Sequence, residues 1–121
     1  KNNIFYIITL IKHLRHIYAT NYRFSIDFHC CLQPLLYEDL EELDQDKYEH
    51  YINLYEKCKT YIKANNSNWF HDFTGIFDEN EEVFFDKCHV IEKGNRIIAQ
   101  NMMPFVLESY NKKSYNNKNF S

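Results

Sequence analysis

The chain has 121 residues, 45% of them hydrophobic, and a net charge of −3. That length fits one domain around a single core, and 2 Gly with 2 Pro leave too little turn chemistry for a sandwich or barrel of many short strands. The charge is uneven: residues 1–34 carry +3, residues 35–92 carry −10 and residues 93–121 carry +4. An acidic middle repels phosphate and excludes a general nucleic-acid binder. No apolar run approaches the roughly 18 residues that span a bilayer, so a membrane partner is not expected either.

Ile4, Ile7, Ile8, Ile11, Leu14 and Tyr18 recur at helical spacing and predict an amphipathic helix over residues 3–19. Residues 22–32 fit two periods. Phe24, Ile26, Phe28 and Cys30 alternate as in a strand, whereas Phe24, Phe28, Cys31 and Leu35 step as in a helix. With no partner legible elsewhere, a lone strand would leave its backbone groups unpaired, so a helix is expected. Pro34 is placed to open a further helix carrying Leu35, Leu36, Leu40 and Leu43.

Asp44 can cap a helix over 45–64, where Tyr48, Tyr51, Ile52, Tyr55, Cys58, Tyr61 and Ile62 make the longest apolar stripe in the chain. The Asn/Ser run at 65–68 ends it. Trp69, Phe70, Phe73, Ile76 and Phe77 then predict a short aromatic helix. Asp78 with Glu81 forms a capping-box variant that opens a helix through Val83, Phe84, Cys88 and Ile91, closed by Gly94. Ile97, Ile98, Met102, Phe105 and Val106 predict a last helix over 95–110, interrupted at Pro104. The expected fold is therefore all-α, a compact bundle of five or six helices over residues 1–110, with a polar, mobile C-terminal tail at 111–121.

Four cysteines carry the rest of the reading: the doublet Cys30 and Cys31, then Cys58 and Cys88. Adjacent positions on a helix diverge by about 100°, so the doublet can serve two different neighbours. A bond within the doublet is disfavoured, because adjacent Cα atoms about 3.8 Å apart fall below the disulfide range. Two disulfides from Cys30 and Cys31 to Cys58 and Cys88, in either order, are expected to staple the bundle. An oxidised framework, in a chain that begins at Lys1 as a processed product would, predicts secretion. Four reduced thiols would instead suit an intracellular assembly subunit.

No site chemistry emerges from the spacing. A zinc site drawn from His29, Cys30, Cys31, Cys88 and His89 lacks the closely spaced cysteine pair of structural sites. Cys88 and His89 are neighbours that point apart on a helix, which argues against a nucleophile and its base. Glu41-Glu42 and Glu81-Glu82 fit solvated helix faces, and there is no glycine-rich phosphate loop or serine elbow. We therefore assign no catalytic, cofactor-binding or metal-ligating residue and expect no enzyme activity. Tyr48, Tyr51, Tyr55 and Trp69 are candidate interaction residues, since Tyr and Trp are favoured at interfaces, with core packing as the alternative.

Cys31, Tyr51 or Tyr55, Cys58, Tyr61 and Cys88 form a Cys-Tyr-Cys succession over residues 30–88. This arrangement resembles the aphid bicycle family of secreted salivary effectors. The resemblance implies a non-enzymatic, helical, secreted protein delivered into host tissue and acting on an unknown host protein. A helical carrier of a small hydrophobic ligand is a second expectation, with Phe24, Phe28, Trp69, Phe70, Phe84 and Met102 as the cavity lining.

Overall fold

The structure is a computed structural model that describes residues 3–35, 44–77, 82–86 and 88–119, with side chains from Thr9 onward. Of the helix expected from Pro34 to Leu43, Pro34 and Leu35 are described and are not helical, while residues 36–43, with Asp78 and Glu81 of the expected capping box, lie outside the described residues. In chain order the elements are α1 (Asn3–Arg23), β1 (Cys30–Leu32), α2 (Gln45–Asn65), β2 (Phe70–Asp72) and α3 (Glu92–Asn119). Among the described residues there are thus three helices and a two-stranded sheet, which corrects the expected all-α bundle of five or six helices.

The correction comes from the two segments that were ambiguous or strongly aromatic. Residues Cys30, Cys31 and Leu32 pair in parallel with Phe70, His71 and Asp72. The Cys30 amide donates to the Trp69 carbonyl (2.7 Å) and the Phe73 amide to the Leu32 carbonyl (3.1 Å). Parallel strands require a long crossover, and α2 supplies it. The strand that the alternating pattern suggested had its partner hidden in the aromatic run at 69–73, so neither is helical.

Helix α2 forms where its stripe and cap predict. The Asp44 carboxylate accepts from the Lys47 amide at 3.0 Å, and Asn66 closes the helix in the left-handed region at φ 44°. Helix α1 runs past residue 19 to Arg23 and ends in a Schellman turn. There the Ile26 amide reaches the Asn21 carbonyl (2.9 Å), the Ser25 amide reaches Tyr22 (3.1 Å), and Ser25 takes φ 55°.

The expected helix through Val83, Phe84, Cys88 and Ile91 is instead a small hairpin. Phe84 bridges Val90 in antiparallel fashion, and the Ile91 amide donates to Val83 at 2.8 Å. Gly94 closes no helix; it lies buried inside the first turns of α3. Its place there is steric, for a Cβ at Gly94 would stand 2.7 Å from Val90 Cβ and 3.1 Å from the Val83 carbonyl. Helix α3 then continues through the polar segment as far as Asn119, where a mobile tail was expected.

The core is aromatic and small. Cys58, Trp69 and Phe70 form its buried centre, with Leu14 and Tyr18 of α1, Phe28, Cys30 and Leu32 of the β1 segment, and Tyr61 of α2 packed against it. Trp69 stacks on Tyr18 at 5.1 Å and on Phe70 at 5.5 Å between centroids. Tyr55, also buried, donates its hydroxyl to the Gln33 carbonyl at 2.8 Å and so pins the exit of β1 to α2.

No disulfide joins the four cysteines, which corrects the expected pair of staples. The helical doublet on which that expectation rested is also absent: Cys30 and Cys31 lie on a strand, where adjacent side chains point to opposite faces. Cys30 faces the core around Cys58, while Cys31 borders a cavity on the other side of the sheet. Burial pushes the thiols of Cys30, Cys31 and Cys58 up, and the nearby Cys30 adds to the rise at Cys31 and Cys58. These thiols stay protonated and unreactive near neutrality.

Candidate functional site

Helix α3 is 28 residues long, yet Gly94 is its one buried residue. It meets the sheet through Phe105, whose ring stacks on His71 at 3.7 Å and faces His29 at 5.6 Å. The two histidines are also within hydrogen-bond distance, with His29 Nδ1 2.9 Å from His71 Nε2. At about 100° per residue, Met103, Val106, Leu107 and Tyr110 lie roughly 100–200° round from Phe105, on the opposite face. They are 50%, 53%, 51% and 69% exposed.

This is a continuous apolar stripe at i, i+3, i+4 and i+7, the pattern with which an amphipathic helix enters a partner's groove. Its C-terminal continuation is polar and basic: Tyr110, Lys113, Ser114, Asn117 and Lys118 border one groove. Lys112, on the inward side, is ion-paired to Glu108 at 3.0 Å, and Glu108 followed by Asp27 holds its ammonium above the ordinary range. The sequence reading took Met102, Phe105 and Val106 of this helix for its apolar face and missed Met103, Leu107 and Tyr110. The available signal was that apolar residues fall on both sides of the helix, more than one core face accounts for.

The predicted interaction residues divide. Tyr55 and Trp69 are buried in the core, Tyr48 is half-buried and Tyr51 is exposed on α2. Of the residues proposed to line a carrier cavity, Phe28 and Trp69 share one of about 280 Å³, bordered on its far side by Glu108, Ser109 and Lys112. Phe70 is buried in the core, Phe24 stands 71% exposed beyond α1, and Phe84 packs edge-on against Phe77. The expected lining is not gathered into one cavity.

The hairpin turn between Phe84 and Val90 concentrates chemistry that the helical assignment had separated. Asp86 Oδ1 accepts the amides of Cys88 (3.0 Å) and His89 (2.8 Å), while Oδ2 lies 2.8 Å from His89 Nδ1. Cys88 Sγ stands 3.6 Å from the same Nδ1. The two backbone bonds and the His89 ring hold the Asp86 carboxyl well below the usual carboxylate range. Gln33 Nε2 donates to the Cys88 carbonyl and ties the turn to the end of β1. His89 also borders a cavity of about 430 Å³ whose wall includes Cys31, Gln33, Phe73 and Val90.

A nucleophile relay does not follow from this arrangement. Such a relay needs the carboxylate on one ring nitrogen and the nucleophile on the other, whereas here Asp86 and Cys88 both address Nδ1.

No family model, curated protein or solved structure matches this chain. No helix among the described residues is long and apolar enough to cross a membrane.

Proposed function

We propose that the chain is a non-enzymatic interaction protein that docks on another protein through the outward face of α3. The observation that carries this reading is the stripe Met103, Val106, Leu107 and Tyr110, half or more exposed on a helix that has one buried residue. Helices in proteins draw most of their stability from packing an apolar face, so a long helix with its second face bare is built to be covered. Met adds adaptability at such surfaces, and Tyr supplies area at low entropic cost. The +4 charge of residues 93–121 calls for an apolar groove with an acidic rim. The resemblance of the Cys-Tyr-Cys succession to secreted salivary effectors supports a partner in host tissue.

A photo-crosslinking residue tests this directly. Placed at Val106 it is expected to capture one discrete protein from host-tissue extract, and placed at exposed Lys57 of α2 it is not. The captured protein, purified, should then bind the unmodified chain. Equal capture from both positions, or no binding by the purified protein, overturns the reading.

A further inference from the structure

We propose that the hairpin turn holds a zinc ion through Asp86 Oδ2, Cys88 Sγ and His89 Nδ1. The three donor atoms all lie within 4.8 Å of one another and come from a four-residue segment. They cluster around His89 Nδ1 rather than lining up in a relay, an arrangement a chelate can use. Tetrahedral zinc with Zn–S of about 2.3 Å and Zn–N of about 2.05 Å sets the two donors roughly 3.55 Å apart. The Cys88 Sγ to His89 Nδ1 separation is 3.6 Å. Oxygen and nitrogen donors on the same ion stand roughly 3.4 Å apart, so the Asp86 to His89 distance of 2.8 Å must open slightly. The His89 side chain is 74% exposed and Asp86 42%, which leaves both room to turn.

The outer partners of such a site are already in place. Both Asp86 oxygens lie against His89 Nδ1, at 3.0 and 2.8 Å, but Oδ1 also accepts the Cys88 and His89 amides, so Oδ2 is the oxygen with capacity left for an ion. The Cys88 carbonyl is held by Gln33, the residue that follows β1. Fixing the ligands by outer hydrogen bonds is what gives small metal sites their affinity. One thiolate, one imidazole and one carboxylate suit zinc rather than the all-oxygen cations. Three protein ligands leave a fourth position for water or an incoming donor, and His89 sets that ion at the rim of the cavity bordered by Cys31.

Cobalt(II) titration of the reduced full chain tests this, since cobalt replaces zinc and reports its ligands by colour. The expected result is one equivalent bound, with a thiolate-to-cobalt charge-transfer band and tetrahedral visible bands, both removed by adding zinc. Cys88→Ser is expected to lose the charge-transfer band. Asp86→Asn and His89→Ala should weaken binding by about tenfold or more, at least the cost of losing an outer-shell partner. Cys31→Ser should keep the band, and helical circular dichroism should be unchanged in all four variants, whose side chains lie outside the buried core. Absence of the band in the native chain, its survival in Cys88→Ser, or its loss in Cys31→Ser would overturn the proposal.

Discussion

Gly94 and Ser25 show how one side chain decides local backbone geometry, and they predict stability changes of opposite sign. A methyl group at Gly94 meets Val90 Cβ at 2.7 Å. Gly94→Ala should therefore lower stability by about 1–2 kcal/mol, overpacking outweighing the helix propensity that Ala gains. Ser25 holds φ 55° at the end of α1, where glycine is unstrained. Ser25→Gly should raise stability by up to about 1 kcal/mol. Denaturant midpoints for the two variants check both signs. Tyr55 offers a graded test: Tyr55→Phe removes the bond to Gln33 and should cost about 0.5–1.5 kcal/mol, whereas Tyr55→Ala also opens a cavity and should cost about 3–5 kcal/mol. Equal losses in the two variants would show that the ring carries no packing.

His71 makes a pH prediction. Burial, and then the neighbouring His29, hold its pKa below the ordinary 6.5. The groups facing it are His29, Phe73 and Phe105. Between the depressed folded value and 6.5 the unfolded chain binds more protons, so stability rises with pH in that window. The contribution is complete above the unfolded value and is lost as pH falls through the folded one. His71→Phe should lose less stability than the native chain between about pH 7 and pH 5; identical losses would remove His71 from the account.

At the scale of elements, legibility followed length. Helix α2 was readable from Asp44 to Asn65 because its period repeats over five turns and its cap is a local interaction. The strands were not, since each is three residues long and each depends on a partner in a distant part of the chain. Phe70 and Phe73 look alike in sequence whether they step along a helix or flank a strand. Mistaking Phe84–Cys88 for helix also concealed the turn that joins Asp86, Cys88 and His89, since helical geometry sends adjacent side chains apart. The reach of α3 was missed for a different reason: its polar end has no core face to announce it. That end should be marginal alone, as helices shorter than about 12–15 residues are in water. Amide exchange in the isolated protein should therefore be much faster at residues 107–119 than at residues 52–62 of α2. Equal protection would show α3 already packed.

The molecule as a whole is asymmetric, with its aromatic core gathered between α1, α2 and the sheet, and α3 anchored on the sheet by Phe105 and on the hairpin of Val83 and Val90 by Gly94. The two ends of the account meet at α3: its inward face completes the fold, and its outward face is the proposed docking surface. A second exposed apolar group, Tyr22, Phe24 and Ile26, lies around the C-terminal end of α1 and serves as an internal comparison. The decisive measurement is the affinity of the purified captured partner for three forms of the chain: native, Met103→Asp with Leu107→Asp, and Tyr22→Asp with Phe24→Asp. The account predicts a loss of about tenfold or more for the α3 pair, as expected of anchors at an interface, and native affinity for the α1 pair, with helix content equal in all three. Native affinity in the α3 pair would contradict it.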